Sequence, residues 1–349
     1  MNGKGTLTYS NGDSYEGSFV SNKRHGKGIF HDASSKDVYE GDFLNDLKHG
    51  KGIIRYFNGD SFSGEFVNGI ETTGIFHYSD GDVYEGETKA GIRNGKGIFK
   101  HSSGAIFDGE WLDDKKNGFG IYKYASSAVY EGEYQNDLKH GKGIFRFASG
   151  DIYDGEYKNG FKNGKGIYKF VSGDVYEGEY ENDLKNGKGV YRFASGDVYE
   201  GEFKNNHRNG FGRYVTAAGD LYEGEYKNDL KNGQGRHLSI DKEEYTGGFK
   251  DNKYEGYGIF KYATGDVFEG EYKEDLKNGN GVYKFASGAI YTGSFKNNMY
   301  HGHGIYKHAS GAIFEGEYQD GERNGMGILQ SISGQTLYEG LWQNGKKTE

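Results

Sequence analysis

An aromatic residue followed two positions later by glycine recurs along the whole chain: Tyr15, Tyr39, Phe62, Tyr84, Phe107, Tyr130, Tyr153, Tyr176, Tyr199, Tyr222, Tyr245, Phe268, Tyr291, Phe314 and Tyr338. The spacing is 23 residues, apart from 24 at the first and last steps and 22 between Phe62 and Tyr84. A fixed period of this length marks an array of small units, none of which buries a hydrophobic face alone.

With the aromatic as offset 0, the clearest unit runs from Tyr176 to Val198 and reads YEGEYENDLKNGKGVYRFASGDV. Tyr176, Gly178 and Tyr180 occupy alternate positions, and so do Gly187, Gly189, Tyr191 and Phe193. Period two is strand periodicity, so each unit reads as two short strands. These seven residues form the expected structural core of the repeat, with Glu177, Glu179, Lys188 and Arg192 on the other face. Asp183 to Asn186 suit a four-residue loop, and Ala194, Ser195 and Gly196 a three-residue loop with glycine in the left-handed position. A loop centred between Leu184 and Lys185 sets Tyr176 opposite Phe193, Gly178 opposite Tyr191, and Tyr180 opposite Gly189. Rings then lie across glycines, and Glu177 stands opposite Arg192.

Composition agrees with this reading. Gly accounts for 62 residues, Tyr for 31 and Phe for 23, with no Pro and no Cys. Mean hydropathy is -0.89, so aromatic rings must carry the burial. A central strand cannot spare its backbone donor, which fits the lack of Pro. Without Cys there are no disulfides, Cys-ligated zinc or thiol chemistry. The opening MNGKGTLTYS has no basic stretch followed by an apolar run, and nowhere do about 18 apolar residues follow one another. The expectation is a soluble cytoplasmic chain. A net charge of -9 gives no general attraction to nucleic acid or anionic lipid.

A lone hairpin is barely stable, so the units must stack. The expected fold is all-β: an elongated, twisted single-sheet ribbon of tandem antiparallel hairpins over residues 1–349. About 30 strands at roughly 4.8 Å give a length on the order of 140 Å. A half-repeat stands at each end, and the stretches 62–90 and 236–245 are irregular.

The recurring YEGEYxNxxxNGKGxY pattern closely resembles the MORN repeat (membrane occupation and recognition nexus), over essentially the whole chain. The resemblance implies an elongated β-hairpin array acting as a scaffold of cytoskeletal and membrane-associated structures, such as the cell cortex or the cilium. It also implies possible phosphoinositide binding and, in some members, dimerisation through C-terminal repeats. Relatives that carry a lipid kinase or SET domain place it after the array, and this chain has room for neither. Function is therefore expected to be non-enzymatic, without cofactor, and directed at protein partners rather than nucleic acid.

Irregularities mark where the pattern is under other pressures. Thr88 replaces the ring at offset 4, and the preceding unit is one residue short, with Thr72 and Thr73 where glycine is expected. In the stretch RHLSIDKEE, Arg236 to Glu244, Ser239 replaces a ring and Lys242 the turn glycine. Leu47, Leu138, Leu184, Leu230 and Leu276 recur at offset 8, alternating with Ile70, Ile92, Phe161 and Met299. Such a row either folds back onto the hairpins, the favoured expectation because an exposed row aggregates, or forms a docking stripe.

No catalytic site is expected. Paired acids such as Glu177 and Glu179 recur in nearly every unit, whereas a catalytic pair is needed once. Segments such as Gly187, Lys188 and Gly189 look like phosphate-binding loops but have no helix to follow them. Candidate contacts to anionic lipid are Lys139, Lys142 and Arg146, although the acids at offsets 1 and 3 oppose that use. In HGHG, His301 and His303 stand two apart on one strand face and are weak candidates for a metal site that needs a ligand from a second chain. His308 falls on the opposite parity.

Overall fold

In the computed structural model, residues 1–348 are described and contain thirty-one strands and no helix. Two compact units divide the chain: Met1–Val171 with Glu181–Asp183, and Ser172–Tyr180 with the residues from Leu184 onward. Within each unit every strand pairs antiparallel with its neighbour in sequence. In the first, Gly3–Thr8 pairs with Ser14–Val20, and the succession continues to Phe161–Lys169. In the second it runs from Leu184–Arg192 to the short Lys346–Lys347. This is the expected all-β array of hairpin repeats.

Each regular repeat contributes a seven-residue and a nine-residue strand, such as Val129–Gln135 and Leu138–Arg146. Their turn differs from the expected four-residue loop. Leu184 already begins a strand, and the chain reverses at Asn182 and Asp183, whose φ values of 49° and 69° make a two-residue type I′ turn. Asn and Asp tolerate this left-handed pair, and Asn159-Gly160 fills the same position with the commonest sequence for it.

The register is corrected with it. Gly155 faces Gly166 and Tyr153 faces Tyr168, while Tyr157 faces Lys162. In the Tyr176 unit the neighbour of Gly178 is likewise Gly189, not Tyr191. The expected pairing misses by two residues because the turn is nearer the N-terminal strand and a bulge follows it. In the hairpin of Val129–Gln135, His140, Gly141 and Lys142 together oppose Glu133. Gly141 adopts φ 59°, the Glu133 side chain lies over it, and the Glu133 carboxylate accepts the Lys142 N–H at 3.1 Å. Gly187, placed by parity on the ring face, is instead such a bulge glycine beneath Glu179. The three-residue loop at Ala194–Gly196 is as expected, with Gly196 at φ 97° and Phe193 bonded to Asp197. The pair expected at Glu177 and Arg192 meets diagonally in equivalent units, as in Arg55–Glu40 at 3.4 Å.

One sheet face holds the rings. Tyr130 is fully buried, edge-on to Tyr134 of its own strand at 5.2 Å and to Tyr157 of the next repeat at 5.3 Å. Tyr199 and Tyr222 repeat this ladder in the second unit. Each edge-to-face contact adds about 0.5–1.5 kcal/mol beyond burial. A ring also lies over both facing glycines of its hairpin, so that a methyl on Gly143 falls 2.6 Å from the Tyr130 ring.

Hydrogen bonds stitch both sheet edges. At the hairpin tips, Asp137 accepts the Lys116 N–H at 2.9 Å. At the opposite edge, Asp174 accepts the Ala194 N–H at 2.7 Å and the Tyr191 hydroxyl at 3.1 Å. The irregular repeats are absorbed locally. The one-residue deletion shortens the bulge, so Glu65 faces Thr73 and Phe66 faces Glu71. Buried Thr88 donates its hydroxyl to the Glu71 carbonyl at 3.0 Å in place of a ring contact.

Candidate functional site

Because the rings occupy one face, the offsets 1, 3, 12 and 14 are left to line the other. In the first unit this face encloses a recess of about 930 Å³ bordered by Lys4, Glu16, Lys27, Ile29, Glu40, Lys51, Ile53 and Glu65, with the facing glycines along its floor. The acid at offset 3 stands directly across from the lysine at offset 12 of the preceding repeat, as Asp42 does from Lys27, whose ammonium is 2.8 Å away. Beside this row, two positions along the strand and facing offset 1 of the next repeat, runs a half-buried row of Ile29, Ile53, Ile75 and Ile98. Mixed charge around an apolar row suits an extended polypeptide better than a small molecule.

In the second unit the apolar row is interrupted. Arg213 and Arg236 take the isoleucine positions, and a ladder of ion pairs links Arg213 to Glu223 (3.1 Å), Glu223 to Arg236 (3.6 Å), Arg236 to Glu244 (2.6 Å) and Glu244 to Lys261 (3.1 Å). The two cations beside Glu244 hold its carboxyl below the usual range. The irregular stretch from Arg236 to Glu244 thus contributes both ends of one ion pair. Nearby, Gly248 replaces the offset 3 acid and a second recess of about 540 Å³ opens beside Gln234.

The three bases expected together are separated. Lys139 lies on the ring face, its ammonium 4.3 Å from the Phe145 ring centre and 5.3 Å from Tyr130, and burial lowers its pKa. Lys142 belongs to the groove row and Arg146 stands 3.9 Å from Glu131. Offset 9 reaches the rings because it belongs to the strand, directly across from the offset 4 ring as Lys139 is from Tyr134, and shares the parity of Gly143 and Phe145.

His301 and His303 flank Gly302, whose φ of 65° breaks the strand alternation. His301 approaches Asp320 at 3.9 Å and His303 approaches Glu315 at 3.6 Å, carboxylates five positions apart. His308 contacts Arg323 at 3.1 Å. No group of three or more metal-ligating side chains occurs among the described residues.

The loop-tip row departs from expectation. Leu47 is 46% exposed and Phe161 50%, as open strand residues rather than folded-back loop tips. A methyl added at Gly69, in the next turn, would come within 4.0 Å of the Leu47 side chain. Sequence parity placed offsets 1, 3, 12 and 16 on one face, but the groove rows were missed because the pairing of one repeat's second strand with the next repeat's first strand was not read. The glycine that follows His140, Asn163 and Asn186 at a constant offset was the available signal for the bulge.

Among solved structures, the chain is similar to the TCP10 domain of Danio rerio CPAP in complex with a peptide of STIL, at 10% identity and TM-score 0.36 over 68% of this chain and 99% of that one. It is similar also to the Drosophila melanogaster SAS-4 TCP domain in complex with a proline-rich motif of Ana2, at 13% identity and TM-score 0.30 over 51% and 90%. At these scores the likeness is not a common superposition. No curated protein matches the sequence. The MORN repeat profile matches sixteen segments: 1–14, 15–35 and 39–61, eight contiguous segments over 62–241, then 245–267, 268–290, 291–313, 314–336 and 338–348. The chain belongs to the MORN-repeat family.

Proposed function

We propose that this protein is a non-enzymatic scaffold that holds extended segments of partner proteins along its groove face. The observation that carries this is the division of duties between the faces. The aromatic rings at offsets 0 and 4 are consumed in the fold, whereas the recess of about 930 Å³ lies among polar and apolar side chains with no role in the ring ladder. A repeated groove presents many weak contacts to one partner, which is how repeat arrays gain affinity.

Family membership supports a cytoplasmic place at cytoskeletal or membrane-associated structures. A peripheral anionic-lipid role draws little support from Lys139, Lys142 and Arg146, because the first lies among rings and the last beside an acid. Homodimerisation through C-terminal repeats stays a separate question of mass in solution.

The test places a photo-reactive side chain at Ile53 in the groove or at Val67 on the hairpin edge of the intact chain, in cells of its source. Selective capture of partner proteins from Ile53 is the expected result. Equal capture from Val67, or capture from Val67 alone, places the binding face elsewhere.

A further inference from the structure

Along the inner groove row, offset 12 faces offset 3 of the next repeat. Lys51 faces Glu65, Lys142 faces Glu156 and Lys188 faces Glu202. After Lys188 this row contains no lysine. It reads Phe211, Gln234, Tyr257, Asn280, His303 and Met326, all exposed.

The losses alternate. Gln234 faces Gly248, Asn280 faces Ser294 and Met326 faces Leu341, so the acid has gone with the base. Phe211 faces Glu225, Tyr257 faces Glu271 and His303 faces Glu317, so the acid remains. On this face the ion pairs of the stretch go instead to Glu223, Glu244, Glu269 and Glu315. What is left is three sites where no lysine meets the facing carboxylate: the exposed rings of Phe211 and Tyr257 opposite Glu225 and Glu271, which also accept the Gln234 and Asn280 N–H groups at 3.1 Å, and His303 opposite Glu317, its imidazole 3.6 Å from Glu315. Phe211 is 59% exposed and Tyr257 58%, far more than the buried rings of the opposite face.

We infer that the groove of the second unit binds an extended, basic segment of a partner protein whose arginine or lysine side chains restore the missing cations. This rests on the groove being the partner-binding face. A cation over a ring and beside a carboxylate is attracted by both, and a guanidinium stacks and bridges better than an ammonium. The chain already makes such contacts internally, with Lys139 at 4.3 Å from the Phe145 ring centre. Acids at offsets 1 and 3 outnumber Arg213 and Arg236 in these rows, so the field opposes an acidic occupant.

The spacing defines the ligand further. The three sites recur every 46 residues, or two repeats. Four strand spacings span about 19 Å. An extended chain advances roughly 3.3 Å per residue, which places successive cations about six residues apart.

The test measures binding of fluorescent Ser/Thr-rich peptides of equal length to the intact chain by anisotropy. One carries three arginines about six residues apart, one the same arginines about three apart, and one glutamates at the wider spacing. The wide-spaced arginine peptide is expected to bind about tenfold more tightly than the close-spaced one, because only it engages all three sites. The triple variant Phe211→Lys, Tyr257→Lys, His303→Lys restores the row's own lysine, as in Lys188 opposite Glu202, and is expected to weaken that peptide by about tenfold or more. Equal affinity for both spacings, an unchanged affinity in the lysine variant, or no binding of any peptide overturns the inference. Preferential binding of the glutamate peptide, abolished by Ile259→Glu, overturns it too while leaving the groove as the binding face.

Discussion

Adding one methyl group at Gly143 tests the ring face most sharply. Its Cβ would lie 2.6 Å from two atoms of the Tyr130 ring, well inside contact distance. Tyr130 has no room to retreat, being fully buried between Tyr134 and Tyr157 with its hydroxyl donating to the Glu133 carbonyl at 3.0 Å. Overpacking of this kind costs about 1–3 kcal/mol. Loss of the hydroxyl bond adds about 1 kcal/mol. Reduced freedom of the unfolded chain returns about 0.4–1 kcal/mol, leaving a net destabilisation of about 2 kcal/mol. Since about 1.4 kcal/mol is tenfold, this corresponds to roughly 30-fold faster opening. Native-state hydrogen exchange reads it locally, which suits an array whose repeats contact only their neighbours. Amides of Val129–Gln135 and Leu138–Arg146 should exchange faster by that factor while those of Ser14–Val20 do not change. An increase below about threefold, or a uniform increase along the first unit, refutes the wedged-ring argument.

Ser127, with φ 72° where other loops have glycine, should be improved by Ser127→Gly by about 0.5–1 kcal/mol in urea unfolding, since the left-handed backbone costs a side chain about 1–2 kcal/mol. Asp174→Ala removes bonds from the Ala194 N–H and the Tyr191 hydroxyl and should cost about 1–2 kcal/mol, with faster exchange at Ala194. Burial raises the Tyr199 and Tyr214 hydroxyls to about 12. A raised folded pKa leaves stability intact below the unfolded value near 10 and removes it as pH climbs through the folded one. Unfolding should therefore set in between about pH 10 and 12, with tyrosinate absorbance appearing together with loss of structure, and gradual titration of a folded chain contradicts this. Arg236→Ala should lower the urea midpoint only slightly, because its ion pairs are half exposed, and the loss should shrink as salt is raised.

Strand content, hairpin repetition and the ring face were legible because Tyr176, Gly178 and Tyr180 keep strict alternation through an uninterrupted strand. Ala194 to Gly196 was equally legible, since a glycine in a three-residue loop has one obvious use. The tip was not. Asn182-Asp183 forms a left-handed turn without the glycine that usually announces one, and Asn159-Gly160 carried the clearer signal at the same offset. One misplaced turn then displaced the register, while the bulge moved Gly187 alone off the ring face and left Lys185 over the rings of Tyr176 and Tyr191. The misplaced turn put offsets 8 and 9 in a loop, which is why Lys139 seemed a surface base when it lies among rings and why Leu184 seemed a loop tip when it begins a strand. The groove was visible only once the pairing between repeats was known, because its rows join offset 12 of one repeat to offset 3 of the next.

The central claim is that the rings make the fold and the groove does the recognition. It is tested most directly by measuring urea midpoint and photo-capture from Ile53 together in two variants, Ile29→Ser in the groove and Tyr39→Ala on the ring face. Ile29→Ser should lose partner capture while keeping its midpoint within about 1 kcal/mol, the usual range for a half-exposed side chain, whereas Tyr39→Ala should lose about 3–5 kcal/mol locally. Full capture by Ile29→Ser, or a midpoint in Tyr39→Ala equal to the parent's, would contradict the account.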